Sequence, residues 1–283
     1  MSRLSNWRRL VMPLVTGLLN VTSNVIAALI ASSKWLTLGI VTFATIIALI
    51  VYIFLRPRYV DIRFKKTPIP ARTEQEKQAS AQRGLVLVVG PYNPNRGAPT
   101  DQLDPARRRE LAQALDYKTL DLPHSNLAVP IEAISAHASR LEHCWLLTTK
   151  TVNDPSRDSE VYVPVLVEYL KKERGLHCQF HTSKKYEIVM DDDPAITERT
   201  RRIVNEIFKE AGEFAEKKTR LSNEEIVCDA TSGTRSISLG IILACLDGKR
   251  KVQLIGTHYG PKGEFIGDPY PITFDYEPVN ITE

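Results

Sequence analysis

Seven consecutive residues near the end of the chain, Asp229-Ala230-Thr231-Ser232-Gly233-Thr234-Arg235, bring together a carboxylate, three hydroxyls, a glycine and a guanidinium, with no side chain larger than threonine until the arginine. Such a set suits an anion. Small residues let the backbone approach a ligand closely, and Gly233 can adopt conformations closed to other residues. Hydroxyls and free amides at a helix N-terminus offer hydrogen bonds and positive potential to a phosphate, and Arg235 can add a bidentate clamp. The same residue types also cap helices, and on these residues alone both readings stand. The GxxxxGK[ST] pattern is absent, and no GxGxxG follows a strand. The loop is therefore neither a P-loop nor a dinucleotide fingerprint. No Ser-His-Asp set, HExxH or kinase motif is legible either, so no catalytic residue and no metal site is assigned.

Such a loop needs a rigid frame. In 225-EIVCDATSGTRSISLGIILACLDG-248 a short apolar run, Ile226-Val227-Cys228, stops at Asp229, and a longer one runs from Ile237 to Asp247-Gly248. This predicts strand, loop, helix. Further apolar runs predict strands over 85–90, 144–149, 177–182, 185–190 and 251–256, with an edge strand over 270–276. Helical spacing predicts helices over 104–115, 129–141, 160–174 and 193–217. Alternating strands and helices, with continuously apolar strands, imply an α/β, Rossmann-like and mostly parallel sheet covered on both faces. Ligands of open α/β sheets sit beyond the carboxyl ends of the strands. That geometry adds Gly90, Tyr92 and Asn93 after the first strand, and Thr148, Thr149 and Lys150 after the second. Tyr92 is expected to stack on a base and Lys150 to meet a phosphate. Lys184 and Lys185 are weaker candidates, and Asp191-Asp192-Asp193 reads as a solvated helix start.

A strand followed by D-x-T-S-G-T-R and an apolar helix resembles the motif of the CARF (CRISPR-associated Rossmann fold) sensors, which is close to D-x-T-G-G-T-K. Here Ser232 replaces the middle glycine and Arg235 the lysine. The related SAVED sensors are similar in kind. The resemblance spans about residues 84–260, with only this motif sharp. It implies a receptor for a cyclic oligoadenylate, the tetramer foremost, bound across a homodimer and switching an attached effector of type III CRISPR antiviral defence. It also leaves open a ring nuclease, in which Thr231, Thr234, Lys150 and Arg235 would orient a ribose 2′-OH, although no histidine adjoins the motif as a general base. A membrane-tethered module for another nucleotide is a third possibility.

The effector expected from the sequence is a membrane hairpin. No residue between Leu10 and Ser33 is charged, nor any between Trp35 and Leu55. Spans are predicted over about 10–31 and 35–55, since a helix crosses hydrocarbon with roughly 20 apolar residues; a single span over 35–55, with the first segment lying on the membrane surface, is the alternative. Residues 1–66 hold nine Lys/Arg and one acidic residue, leaving 28 basic and 32 acidic residues, a net of −4, for the rest. That balance argues against long nucleic acid as partner. Basic residues flank both spans, which places both termini and the sensor in the cytoplasm, at the cell membrane. Thr16, Asn20, Ser23 and Asn24 share one helical face and are candidate pore-lining residues, or interhelical hydrogen-bonding groups. The predicted organisation is a hairpin over 1–56, a juxtamembrane linker over 57–83 and a CARF-like domain over 84–283. Four scattered cysteines, Cys144, Cys178, Cys228 and Cys245, fit buried free thiols in a reducing compartment.

Overall fold

The computed structural model describes residues 20–21, 23–24, 42–49, 60–64, 69–71, 73–214, 216, 219–246, 250–259, 265–274 and 276–280. The chain divides into two units, one comprising Met1–Tyr59 with Ile281–Glu283, the other Val60–Asn280.

The strands of the larger unit are β1 (Val60–Phe64), β2 (Ile69–Pro70), β3 (Gly84–Val89), β4 (His143–Thr151), β5 (Gln179–His181), β6 (Glu187–Met190), β7 (Ile226–Asp229), β8 (Lys251–Tyr259), β9 (Phe265–Phe274) and β10 (Tyr276–Asn280). Its helices are α1 (Glu74–Ser80), α2 (Pro105–Gln113), α3 (Tyr117–Leu120), α4 (Ala128–Ser135), α5 (Val163–Glu173), α6 (Asp193–Gly212) and α7 (Arg235–Cys245). The main sheet runs β2-β9-β8-β7-β3-β4-β5. The pairs from β8 to β5 are parallel, while β9 and β2 continue the sheet antiparallel. β5 pairs with the amino half of β4 and β6 with its carboxyl half, so the two fill one strand position broken by a short turn at Lys184–Tyr186.

Burial explains the apolar runs. Along β3 every residue is buried. Leu85, Leu87 and Val89 point into the core under α2, α4 and α5, and Val86 and Val88 into the core under α6 and α7. Each fully buried aliphatic side chain contributes about 1.5–3 kcal/mol, so a two-faced strand needs helices on both sides. Pro164 does not break α5 because it stands in the first turn, where its missing N–H has no intrahelical partner to lose. α7 lies close against α6. A Cβ added at Gly240 would sit 2.6 Å from the Thr197 carbonyl oxygen.

Three expectations change. The transmembrane hairpin is corrected: among the described residues no helix is long and apolar enough to cross a membrane. Of the candidate pore residues, Ser23 donates its hydroxyl to the Asn20 carbonyl at 3.0 Å and so finds its partner within its own helix. Asn24 is exposed, and Thr16 lies outside the described residues, as does most of 10–31 and 35–55. The stretch read as a linker, 57–83, contains β1, β2 and α1. β1 pairs with β10 and β2 with β9, and Thr73 and Glu76 form a capping box on α1. The polar composition still holds to the extent that α1 buries no residue. Finally, the strand expected at the edge belongs to the longer β9, which lies between β8 and β2.

Candidate functional site

The chain runs from β3 through α4 to β4 on one side, then returns by α6 to β7 and moves outward through α7 to β8. Strand order therefore reverses between β3 and β7, and the helices that follow these two strands lie on opposite faces. Such a switch point opens a crevice beyond the carboxyl ends of the strands. The loop after β7 stands at that switch point.

The loop has an anchored half and a presented half. Asp229 is 1% exposed. Its Oδ1 accepts the Thr231 N–H at 2.9 Å and its Oδ2 accepts the Gln253 side-chain amide at 3.1 Å. Burial pushes this carboxyl upward, against the lowering effect of those hydrogen bonds. The Thr231 hydroxyl accepts the Ile255 N–H at 2.7 Å, and the Ala230 N–H donates to the Gln253 carbonyl at 3.0 Å. Ser238 donates to the Ala230 carbonyl at 2.9 Å. Asp229 and Thr231 are thus spent on holding the loop to β8. Ser232 is half-buried, while Gly233, Thr234 and Arg235 are exposed. Gly233 takes φ +101°, a region that favours glycine. Thr234 is the N-cap of α7. Ser236 points inward, donating to Asp193 at 2.5 Å. Arg235 makes no hydrogen bond or ion pair among the described residues. With the Thr234 hydroxyl engaged as cap, accepting the Ile237 N–H, the Ser232 hydroxyl and the Arg235 guanidinium are the groups left unpaired among the described residues at the start of α7, where the helix dipole adds positive potential.

The neighbouring loops contribute less than the sequence suggested. Gly90 is half-buried. Tyr92 is corrected: its ring is 6% exposed, packs against Tyr162 at 5.6 Å between centroids, and its hydroxyl meets Thr100 at 2.9 Å and the Leu120 carbonyl. An aromatic ring gains more from this core than from solvent, so it is not presented for stacking. Asn93 is exposed, and its backbone is stapled by Asn126, which accepts the Asn93 N–H at 2.6 Å and donates to the Pro91 carbonyl at 2.8 Å. Thr148 and Thr149 are buried, and the Thr149 N–H donates to Ser159 at 2.8 Å. Lys150 is exposed, with its ammonium 3.8 Å from Glu187. Lys185 is paired with Glu210 at 2.7 Å, and Asp191 with Arg199 at 2.9 Å. Compared with models of known protein families and with curated proteins, the chain matches none.

Two residues that matter to this site carried little sequence signal. Gln253 is 0% exposed. Its one trace is a polar residue inside the apolar run 251-KVQLIG-256. His137, 1% exposed, lies just past α4, and its burial holds its pKa down at about 4 despite the hydrogen bond to Gln253. All four cysteines are buried and free, and desolvation pushes the Cys178 thiol up to about 11. Buried thiols with raised pKa are poor nucleophiles.

Proposed function

We propose that the α/β unit is a receptor for a cyclic oligoadenylate, the tetramer foremost, acting as the sensor of an antiviral defence response. The observation that carries this is the division of the β7 loop. Asp229 and Thr231 fix it from within and Thr234 caps α7, while the Ser232 hydroxyl, the exposed Gly233 backbone and the Arg235 guanidinium remain to be offered at the switch point. A helix N-terminus with an unspent serine hydroxyl and a guanidinium is matched to a phosphodiester rather than to an apolar ligand. β3 separates this loop from the end of β4, where the exposed Lys150 supplies a second cation. A ring of repeated phosphates can engage two such loops at once, which favours one ligand per homodimer. The motif's likeness to the CARF sensors supports the same ligand class.

Calorimetric titration of the full chain with cyclic tri-, tetra- and hexa-adenylate tests it. One ring is expected to bind at one molecule per two chains. Arg235→Ala is expected to weaken that ring about 10- to 150-fold, the value of about 1.5–3 kcal/mol for a charged hydrogen bond. Absence of heat with all three rings, or equal affinity in Arg235→Ala, would refute the assignment.

A further inference from the structure

The Asp229–Gln253 anchor of the loop continues, through His137, into a chain of polar groups that reaches the backbone of Gln82. The Gln82 backbone N–H donates to His137 Nδ1 at 3.1 Å. His137 Nε2 lies 2.8 Å from Gln253 Oε1. The Gln253 amide nitrogen donates to Asp229 Oδ2 at 3.1 Å, and Asp229 Oδ1 accepts the Thr231 N–H at 2.9 Å. These groups come from four separate places in the chain: the residue pair preceding β3, the end of α4, β8 and the end of β7. His137, Gln253 and Asp229 are each 1% exposed or less.

Every bond in this chain has a forced direction. A backbone N–H can only donate, so His137 Nδ1 must be the bare nitrogen and Nε2 must carry the proton. That proton requires the oxygen of Gln253 to face it. The Gln253 amide must then turn its NH2 toward Asp229, whose Oδ2 accepts it. Reversing any one member sets donor against donor or acceptor against acceptor, with no solvent within reach to compensate. The position of Gln82 and the position of the Asp229–Thr231 turn are therefore not independent.

We propose that Gln82, His137, Gln253 and Asp229 form a relay that couples the β7 loop to the segment entering the sheet at β3. His137 and Gln253 are positioning residues for the loop, and a ligand on the loop is sensed at Gln82. The ligand half of this inference rests on the function proposed above, while the relay itself does not. Coupling between two sites is reciprocal, so it can be read from both ends.

Amide hydrogen exchange on the full chain tests it. In the ligand-free protein, His137→Phe and Gln253→Leu are expected to speed exchange at Thr231 and Ile255 at least tenfold, with Leu87 and Leu146 changed less than twofold. Thr231→Val, made at the far end, is expected to speed exchange of the Gln82 amide at least fivefold. Tyr117→Phe, which removes a surface contact with Glu173, should move none of these amides. Uniform acceleration across β3, β4 and the loop would mean general destabilisation and would overturn the relay. So would a Gln82 amide indifferent to Thr231→Val. With saturating cyclic tetra-adenylate, Gln82 exchange is expected to slow at least threefold in the native chain and not in Gln253→Leu. Slowing at the loop with Gln82 unmoved overturns the coupling. A ligand that moves no amide counts against the proposed ligand, and the ligand-free comparisons still decide the relay.

Discussion

Replacing Gly240 by alanine reverses the usual rule for helices. In an exposed helix interior the change stabilises by about 1 kcal/mol. At Gly240 the new Cβ would lie 2.6 Å from the Thr197 carbonyl oxygen and 2.7 Å from the Thr200 Cβ, where ordinary contact begins at 3.4 Å. Neither atom is the end of a flexible side chain, so α7 must move away from α6 by several tenths of an ångström. Overpacking of this kind costs about 1–3 kcal/mol, and the backbone neighbour puts it at the upper end, about 3 kcal/mol. Subtracting the propensity gain leaves a loss of about 2 kcal/mol. For a unit of this size that is a fall in melting temperature of about 4–8 °C. Thermal unfolding of the full chain with far-UV circular dichroism measures it, with Gly240→Ser expected to shift the same way. An unchanged or raised midpoint would refute the close packing of α7 on α6, and with it the placement of the loop that α7 carries.

Other outcomes follow from the same geometry. Gly233→Ala forces an L side chain to φ +101° and a Cβ 3.2 Å from Ile237, so it should destabilise by about 1–2 kcal/mol, measured by urea denaturation. Arg235→Ala should leave the urea midpoint unchanged while weakening ligand binding, because the side chain has no partner among the described residues. His137 is held at about 4 against an ordinary 6.5. A depressed histidine contributes stability that is present above pH 6.5 and lost as pH falls toward 4, here about 3 kcal/mol. Burial lowers His181 to about 4 as well, with the neighbouring His143 adding to it, so it acts in the same direction. Asp229, whose carboxyl is raised, opposes them over part of this range. The native-state titration of the His137 ring by NMR separates the contributions, and a midpoint near 6.5 would contradict its burial.

Much of the frame was legible because burial on two faces writes itself into sequence. The apolar runs at β3, β4, β7 and β8 and the Asp-Pro starts of α2 and α6 mark elements that form where local propensity and tertiary burial agree. The pairing of β1 with β10 and β2 with β9 was not legible. Those strands join residues far apart in sequence, and nothing local distinguishes Val60–Phe64 from a linker. The N-terminal hairpin rests on two uncharged apolar runs with basic flanks, and among the described residues no helix is long and apolar enough to cross a membrane. In the loop, residue types identified the chemistry but not its allocation. Asp229 and Thr231 belong to the motif, yet their polar atoms face Gln253 and Ile255. Tyr92 follows a strand end, as a ligand-stacking residue would, but the pairing of its hydroxyl with Thr100 is set by a turn eight residues away. The converse failure is His137, an isolated histidine whose importance arises only from contacts with residues 82 and 253.

Photolabelling reads directly where the ligand sits. The full chain would be irradiated with an azido-substituted cyclic tetra-adenylate, digested, and the labelled peptides mapped. Label is expected on the peptide spanning Ala230–Ser236, competed by unmodified ligand and strongly reduced in Arg235→Ala. Competable label confined to peptides away from the carboxyl ends of β3, β4 and β7, or none at all, would contradict it.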